Sequence, residues 1–379
     1  MVTMADAIPL FEITWDRDDV KNVLDSVTRG SYWANGPYID DFETALEEYH
    51  DVDHAVVFNS GTTALVSALR ALNVGPGDEV IVPSFTFIST ANVIEMVDAK
   101  PVFADIEPES FGLDPDDVRD RITDDTAAIL PIHYAGKPCK IRELREIATD
   151  HDLRLVEDAA EALGAESRGQ KVGTFGDAGM LSFCQNKVVA TGEGGAVLTG
   201  DDDVARKARL LRSHGRASRD YFDSASGGDY VALGNNFRMP DVVASIGVAQ
   251  MQKVEDTLIA GRQRVAARYR EQLEKIAGVT PPRAPADGRH VYQLFTVRFD
   301  DDVDRDAVVQ SLEDENIASK VYFDPVHRSE YYTERYGDGA WSLPTTDAVS
   351  ESVLSLPMFS HMAEEDIDRV VDCVAAALD

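Results

Sequence analysis

The chain has 379 residues, 44% of them hydrophobic, so it is long enough to bury more than one core. Its formal charge is −32, with 68 acidic residues against 36 basic ones, which argues against nucleic-acid binding. The acidic residues are spread in short runs rather than gathered in one tail. Such a spread is typical of proteins from a high-salt (halophilic) cytoplasm, where self-repulsion is screened.

No apolar run reaches the length of a membrane span, and the first residues lack the basic start and apolar core of a signal peptide. We therefore expect a cytoplasmic protein without membrane contact. Cys139, Cys184 and Cys373 are far apart and lack the spacing of metal ligands. We expect reduced thiols and no metal site.

Short apolar segments alternate with helical patterns between residue 54 and about residue 200. This alternation predicts an α/β fold with a largely parallel sheet and helices on both faces. In such sheets, ligands bind beyond the carboxyl ends of the strands. The predicted strands are HAVVF, EVIVP, KPVFADI, AAILPIH, RLVED, GMLSF and GAVLT.

The first strand ends at Ser60, and SGTTALVSALRAL opens a helix. At a helix start with small and hydroxyl residues, free backbone N–H groups and the positive end of the helix dipole can bind a phosphate. Gly61, Thr62 and Thr63 are the candidates for this role. An ordinary Ser/Thr N-cap explains the same residues, so the phosphate interpretation depends on Asp158 and Lys187 downstream.

Two aromatic residues follow the second strand in VIVPSFTFIST. Phe85 and Phe87 are each candidates for the core or for the face of a planar cofactor. His133, near the end of a later strand, is ambiguous in the same way. A packed core histidine explains it at least as well as a site residue.

The stretch from Leu153 to Gly195 holds a carboxylate and a lysine in a pattern that predicts pyridoxal phosphate. Asp158 ends the strand RLVED, and Lys187 lies in SFCQNKVVATGEGG, between apolar runs. The cofactor needs an amine that holds its aldehyde as a Schiff base, and a carboxylate that keeps its ring nitrogen protonated. Taken alone, Asp158 is explained as a helix cap and Lys187 as a surface lysine. Their combination favours the cofactor.

Residues from Pro240 to about Ile276 have helical periodicity, with Pro240 suited to the first turn, and are predicted to bridge two domains. A turn-rich connection follows, and VYQLFTVRF then alternates like a strand. We assign residues 1–250, including an N-terminal arm, to a large cofactor-binding domain. Residues 251–379 form the linking helix and a smaller C-terminal α/β domain.

Together, these segments resemble the DegT/StrS family of sugar-nucleotide aminotransferases, pyridoxal-phosphate enzymes with the aspartate aminotransferase fold. The resemblance extends over nearly the whole chain, and the SF…K…GEGG stretch is its most specific part. It implies that a homodimer transfers an amino group from glutamate or glutamine to a nucleotide-linked keto sugar. The amino sugar would serve polysaccharide or glycan biosynthesis.

The resemblance also implies roles for individual residues. Lys187 matches the Schiff-base lysine, Asp158 the partner of the pyridine nitrogen, and Phe87 the ring stacked on the cofactor. Four further positions match residues that bind the cofactor phosphate, the last of them in the neighbouring subunit. They are Gly61, Thr62, Ser182 and Asn236.

Two positions depart from the family pattern. Glu161 stands where the family usually has Gln or His, and Asn235 stands where it usually has Tyr. Glu161 adds a second carboxylate near the cofactor ring. It leaves open how the phenolic oxygen side of the cofactor is hydrogen-bonded.

A nucleotide sugar is anionic, so its site must be locally positive despite the net charge of −32. A surface or ion-paired position explains any one of the basic candidates equally well. The candidates are Arg212, His214, Arg216, Arg238 and Lys320.

Two other functions are compatible with the resemblance. One is a sugar dehydratase of the same family, in which histidine replaces the lysine. The other is a regulatory or sensor protein that keeps the fold without turnover. Lys187 argues against the first, and the presence of both Lys187 and Asp158 argues against the second.

Overall fold

The computed structural model describes residues 7–218 and 228–378. Strands form where the chain has short runs rich in β-branched and apolar residues, bounded by turn-forming residues. They are β1 (His54–Phe58), β2 (Glu79–Pro83), β3 (Lys100–Ala104), β4 (Thr126–Ile129), β5 (Arg154–Asp158), β6 (Glu166–Ser167), β7 (Gln170–Lys171), β8 (Ala178–Ser182), β9 (Gly195–Thr199), β10 (Val279–Thr280), β11 (Gly288–Arg289), β12 (Phe295–Phe299) and β13 (Val353–Leu356).

Side chains of Ser or Asp cap several helix N-termini, because they accept hydrogen bonds from the free N–H groups of the first turn. In the two ranges that the structure describes, no helix has both the length and the apolar composition that crossing a bilayer demands. The helices are α1 (Arg17–Thr28), α2 (Pro37–His50), α3 (Gly61–Ala71), α4 (Ile88–Met96), α5 (Pro115–Asp120), α6 (Ile141–Asp150), α7 (Asp202–Arg212), α8 (Asp241–Met251), α9 (Ala260–Leu273), α10 (Arg305–Asp314), α11 (Glu330–Tyr336), α12 (Pro344–Ser352) and α13 (Glu364–Leu378).

A seven-stranded sheet with the order β1-β9-β8-β5-β4-β2-β3 is the largest sheet in the described part of the chain. Strand β9 runs antiparallel to both of its neighbours, and the other pairs are parallel. The prediction of a largely parallel sheet is therefore confirmed. The carboxyl ends of β1, β2, β4, β5 and β8 lie along one edge of this sheet, where the predicted site residues follow.

Helices cover both faces of the sheet because alternate strand residues point to opposite faces. In β1, Val57 belongs to a core that includes residues of α2, α6 and α8. Its neighbours Val56 and Phe58 belong to a second core that includes residues of α3, α4 and α7. The two cores fix the sheet from both sides.

The C-terminal part contains the three-stranded sheet β10-β12-β13, whose pairs are antiparallel. Residues of α9, α10 and α13 pack with it in a core of their own. Val326, Tyr332 and Leu343 belong instead to the core that includes residues of α3, α4 and α7. The division after residue 250 stays a prediction.

The segment from Pro240 to Ile276, which was predicted to be helical, is helical over most of its length but is interrupted. Helix α8 ends at Met251, a π-helical turn spans Val254–Ile259, and α9 begins at Ala260. At the interruption, the buried Lys253 forms an ion pair with Asp16 at 2.6 Å and a second ion pair with Asp19. Pro240 precedes α8 as its N-cap rather than standing in its first turn.

An internal ion pair joins α7 to α2 and β1. Arg212 Nη1 lies 2.5 Å from Glu43 Oε1 and donates to the Val57 carbonyl at 2.8 Å, and Glu43 accepts from the Val57 N–H at 3.0 Å. Both charged side chains are buried. Arg212, proposed as a substrate cation, is thus already engaged in the fold.

We predict that Arg212→Ala destabilises the protein by about 3 to 5 kcal/mol, because it leaves the Glu43 carboxylate buried without its partner. Chemical denaturation monitored by circular dichroism measures the change. The matched control is Arg206→Ala, since Arg206 forms an exposed ion pair with Asp203 on the same helix. That variant should change the unfolding free energy by about 0 to 1 kcal/mol. Equal effects of the two substitutions would contradict the assigned role of Arg212.

Candidate active site

Asp158 ends β5 and its side chain is buried, with a residue exposure of 3%. Its Oδ2 accepts from the Thr90 hydroxyl at 2.7 Å, and its Oδ1 accepts from the Ala160 N–H at 3.0 Å. Burial raises the pKa of Asp158, and these two hydrogen bonds oppose that shift. Among the described residues, no basic side chain forms an ion pair with it. Asp158 therefore offers a cation or an N–H donor a buried carboxylate.

Asp158 does not cap a helix. The residues that follow it, 159–165, form turns, and the next regular element is the short strand β6. The N-cap explanation of Asp158 is therefore wrong. The Ala160 N–H bond is a local turn interaction, which fixes the carboxylate orientation at the strand end.

Lys187 lies in the loop that connects β8 to the antiparallel strand β9. Its backbone N–H donates to the Cys184 carbonyl at 2.9 Å, and the adjoining residues Val188, Val189 and Ala190 are buried. The Lys187 side chain is 14% exposed. It is thus a largely buried lysine rather than a solvated one.

Glu161 connects Lys187 to the turn that follows β4. Its Oε1 lies 3.3 Å from Lys187 Nζ, and its Oε2 accepts from the Ala135 N–H at 2.8 Å. The pKa of Asp158 is raised overall by burial. The charge of Lys187 opposes this shift, and the charge of Glu161 adds to it. Two buried carboxylates and one amine therefore interact at the end of β5.

The start of α3 forms a cradle next to the end of β8. A Cβ atom on Gly61 would lie 3.0 Å from Met180 Sδ and 3.3 Å from Ser182 Cβ, so a side chain at position 61 would crowd this space. Thr62 Oγ1 lies 2.5 Å from Ser89 Oγ. The structure thus brings Gly61 and Ser182 together at the positive end of a helix dipole.

Ser60 is the N-cap of α3, as the more ordinary interpretation of SGT predicts. Its side chain accepts from the Thr63 N–H at 3.2 Å, and the Thr63 hydroxyl donates to Asn59 Oδ1 at 2.8 Å. Thr63 therefore takes part in the N-cap hydrogen bonds of α3. The cap leaves the earlier N–H groups of the helix for a ligand.

The two phenylalanines that follow β2 differ in burial. Phe85 is fully buried, with its ring centroid 5.0 Å from that of Tyr134. Phe87 precedes α4, is 57% exposed and has its ring centroid 6.1 Å from that of Phe323. Phe85 is a core residue, and Phe87 has surface available to a planar ligand.

His133 packs in the core. Its Nε2 lies 3.0 Å from Glu157 Oε2, and its Nδ1 accepts from the Cys139 N–H at 3.2 Å. Glu157 also accepts three backbone N–H bonds from the loop that precedes β8. Because Glu157 and Asp158 are adjacent in a strand, they point to opposite faces. His133 is therefore on the face away from Asp158.

Asn236 is exposed and pairs with Ser213 in an isolated β-bridge. The neighbouring Phe237 carbonyl accepts from the Asn59 N–H at 2.9 Å, just before the α3 cradle. The structure thus brings the Asn236 segment beside the chain that enters the cradle.

Two of the proposed substrate cations converge on one hydroxyl. Arg216 Nη2 and Arg238 Nη1 both donate to Ser213 Oγ at 3.2 Å. Burial and the charges of Arg216 and Arg212 lower the pKa of Arg238. These three arginines line a cavity of about 410 Å³.

The remaining two candidates for the nucleotide site, His214 and Lys320, are exposed. His214 has a left-handed backbone, with φ of 59°. Lys320 lies over the ring of Tyr322, with Nζ 5.1 Å from the ring centroid.

A larger cavity, of about 860 Å³, lies between the large domain and the segment 280–288. Tyr134 and Ala135 belong to its lining, whereas Lys187 and Asp158 do not. The amine, the carboxylates and the start of α3 lie instead at the edge of the sheet.

Sequence reasoning missed two residues that hold the site. Thr90 bonds Asp158, and Gln293 Nε2 donates at 2.6 Å to the carbonyl of Asn186, directly before Lys187. Thr90 follows Phe87 by one turn of helix, which was a usable signal. Gln293 comes from the C-terminal part, and no local pattern indicates its contact.

Comparison with known proteins identifies relatives over nearly the whole chain. The DegT/DnrJ/EryC1/StrS aminotransferase family matches residues 15–375. GDP-perosamine synthase of Caulobacter vibrioides is 40% identical over 368 residues, covering 96% of this chain and 94% of that protein. The UDP-4-amino-4-deoxy-L-arabinose–oxoglutarate aminotransferase of Shewanella sediminis is 32% identical, with 97% of each chain covered.

A solved structure gives the same result. The Spr1654 protein of Streptococcus pneumoniae in its PLP form superposes with a TM-score of 0.91 at 26% identity, covering 98% of each chain. This confirms the predicted aspartate aminotransferase-like fold and pyridoxal phosphate as the cofactor. The chain belongs to the DegT/DnrJ/EryC1/StrS aminotransferase family and is a pyridoxal-phosphate-dependent aminotransferase.

Proposed function

We propose that the protein transfers an amino group from glutamate or glutamine to a keto sugar carried on a nucleoside diphosphate. The observation that carries this proposal is the convergence of Lys187, Asp158, Phe87 and the start of α3 at one edge of the sheet. The names of the relatives, which refer to GDP-perosamine and to a UDP-linked amino sugar, support the substrate class. The product would serve polysaccharide or glycan biosynthesis.

The described residues fit the cofactor. Asp158, buried without a basic partner among them, would bind the ring N–H, and the exposed ring of Phe87 would cover one face of the cofactor. When bound, pyridoxal phosphate withdraws electrons from the reacting carbon and carries the amino group between donor and acceptor. The phosphate would lie at the start of α3, beside Gly61, Thr62 and Ser182.

Lys187 would both hold the cofactor and move the proton. Its amine would bond the aldehyde carbon in the resting enzyme. Once an amino donor displaces it, the freed amine would carry the proton between the α-carbon of the donor and the C4′ carbon of the cofactor. Its low exposure of 14% keeps bulk water from competing for that proton.

The negative surface requires local positive charge at the nucleotide. Arg216 and Arg238, which share the Ser213 hydroxyl, supply two guanidinium groups that match phosphate geometry. His214 and Lys320 are exposed and remain candidates. Arg212 is the weakest candidate, because Glu43 neutralises it.

We infer that a homodimer is the functional unit and that Asn236 completes the phosphate site of the partner. Asn236 is exposed, and three apolar residues that shortly precede it, Tyr230, Val231 and Leu233, are more than half exposed. A cluster of exposed apolar side chains is favourable when a second copy buries it.

The same residues argue against the two alternatives. A family dehydratase has histidine in place of the lysine, whereas this chain has Lys187 in contact with Glu161. The presence of both Lys187 and Asp158 argues against a sensor without turnover. A purified protein whose visible absorption band disappears on adding glutamate would separate an aminotransferase from a sensor. Screening keto sugar nucleotides for glutamate-dependent amination would then identify the acceptor.

We predict that Lys187→Ala lowers turnover by roughly 10³-fold or more while the fold is retained, because no other group supplies the amine. Borohydride reduction of the wild-type protein should fix the cofactor on Lys187, as peptide mass spectrometry would detect. The control is Lys100→Ala, since Lys100 forms an exposed ion pair with Glu79. A cofactor label on another lysine would remove the central assignment.

We predict that Asp158→Asn binds the cofactor but stalls at proton abstraction, because an amide does not hold the ring nitrogen in its charged form. Cofactor content is measured by absorbance, and the half-reaction with glutamate by stopped flow. Asp287→Asn is the control, since Asp287 forms an exposed ion pair with Arg168. Wild-type turnover in Asp158→Asn would show that the residue is misassigned.

We predict that low salt dissociates the dimer and releases the cofactor in one transition. The Debye length grows from about 3 Å at 1 M salt to about 10 Å at 0.1 M, so repulsion between acidic surfaces extends further. Light scattering and cofactor absorbance are followed together through a salt titration. A dimer that stays fully active in low salt would rule out this coupling. Loss of cofactor from an intact dimer would assign the effect to the site alone.

A further inference from the structure

The cavity of about 860 Å³ lies apart from the candidate active site. Its walls come mainly from residues within the segments 107–111, 134–143 and 280–301, and neither Lys187 nor Asp158 belongs to them. Pockets that bind small organic molecules in proteins have volumes of roughly 300 to 1,000 Å³ and lie preferentially between separate parts of a fold. This cavity therefore has the size and the location of a second ligand site.

Proline and aromatic side chains make the walls of this cavity firm and partly apolar. A proline ring fixes its own backbone φ angle, so a wall rich in proline needs little ordering when a ligand binds. The rings of Phe111 and Tyr134, with centroids 5.5 Å apart, add aromatic surface. Such walls suit the apolar body of an organic ligand. The prolines are Pro108, Pro138, Pro281, Pro282 and Pro285.

Three half-buried cations, Lys137, Arg142 and Arg298, line the same cavity. Lys137 Nζ donates to the Glu109 carbonyl at 2.7 Å, and Arg142 Nη2 donates to the Ser167 carbonyl at 3.0 Å. Within residues 7–218 and 228–378, none of the three forms an ion pair with a carboxylate. A neutral carbonyl does not cancel the charge of a cation, so all three side chains keep an attraction for an anion.

The carboxylates that line the cavity are either engaged elsewhere or exposed. Glu107 is buried and accepts two backbone N–H bonds from its own loop, at 2.6 and 2.9 Å, and Asp287 pairs with Arg168 at 2.7 Å. Burial lowers the pKa of Lys137, although the charges of Glu107 and Glu109 oppose this shift. The half-buried surface is therefore cationic, and solvent screens the carboxylates at the rim. The exposed ones are Glu109, Glu143, Asp300 and Asp301.

One wall of the cavity also supports the candidate active site. The Ala135 N–H donates to Glu161 Oε2 at 2.8 Å, and Glu161 Oε1 lies 3.3 Å from Lys187 Nζ. Lys137 lies two residues after Ala135, whereas Arg298 belongs to β12 of the C-terminal part. An anion bound by Lys137 and Arg298 would therefore join the turn that holds Glu161 to the C-terminal sheet.

We propose that this cavity is a second binding site, which takes a small organic anion with a phosphate or carboxylate group. Lys137, Arg142 and Arg298 bind the anionic group, and the prolines contact the apolar body of the ligand. The site is separate from the cofactor and from the proposed nucleotide cations Arg216 and Arg238. It depends neither on the keto sugar acceptor nor on the amino donor.

The first experiment titrates the cofactor-loaded protein with phenyl phosphate and with benzoate. The two probes carry the same ring on a phosphate or on a carboxylate, and the bound cofactor keeps its own phosphate site occupied. Isothermal titration calorimetry should show that at least one of them binds, and the tighter one identifies the preferred anionic group. Uncharged benzyl alcohol should bind about tenfold more weakly or worse, because it lacks the charge. Binding of neither anion would overturn the proposal.

Arg298→Gln should weaken the binding of the better probe about tenfold or more, because the amide keeps a donor but loses the charge. Lys137→Gln gives the same test if Arg298→Gln fails to fold. The control is Arg17→Gln, which removes the same charge from an exposed residue outside the cavity and should leave the affinity unchanged. If Arg238→Gln abolishes binding while Arg298→Gln and Lys137→Gln do not, the anion binds at the nucleotide cations and the proposal is wrong.

Hydrogen exchange of the wild-type protein locates the anion without any substitution. The bound probe should slow amide exchange in the segments 134–143 and 295–301, since it joins them. Protection confined to other segments would contradict the assignment. The result is separable from the proposed function: if no keto sugar is aminated, the calorimetry still decides on the cavity, and if no anion binds, the aminotransferase assignment is unaffected.

Discussion

The structure depends on one constraint, which is that the parallel strands of the central sheet end along the same edge. Asp158 lies at the end of β5, Ser182 ends β8, and Phe87 follows β2. Strand β9 returns antiparallel to β8, so the loop between them begins and ends at this edge and carries Lys187 there. The side chains of the site come from distant parts of the sequence, but the sheet brings their backbone origins together.

Three acidic residues between positions 157 and 161 show how surroundings divide similar groups into different roles. Glu157 accepts hydrogen bonds from three backbone N–H groups and contacts His133, so its carboxylate is fully occupied by contacts within the fold. Glu161 is divided between Lys187 and a backbone N–H. Asp158 has only the two donors Thr90 and Ala160 in the described part of the chain. It is therefore the carboxylate with capacity for a cationic ligand.

The sequence was sufficient where the signal is local. The apolar strands and the N-cap at Ser60 follow from residues within a few positions of each other. The sequence was insufficient where a contact between distant residues determines the local structure. At the interruption of the helix after Met251, Lys253 pairs with Asp16 and Asp19, more than 230 residues earlier, and no local pattern indicates these contacts. The contact of Gln293 with the Asn186 carbonyl is of the same kind.

These distant contacts hold the lysine loop from two sides. The large domain holds it through Glu161, and the C-terminal part holds it through Gln293 at the Asn186 carbonyl. The Tyr134 hydroxyl bonds the Tyr322 carbonyl and so joins the turn behind Glu161 to the same C-terminal part. A shift of the C-terminal part would therefore move the loop and the turn together. The 3.3 Å separation of Lys187 from Glu161 is thus set by the packing of both parts, rather than by the loop alone.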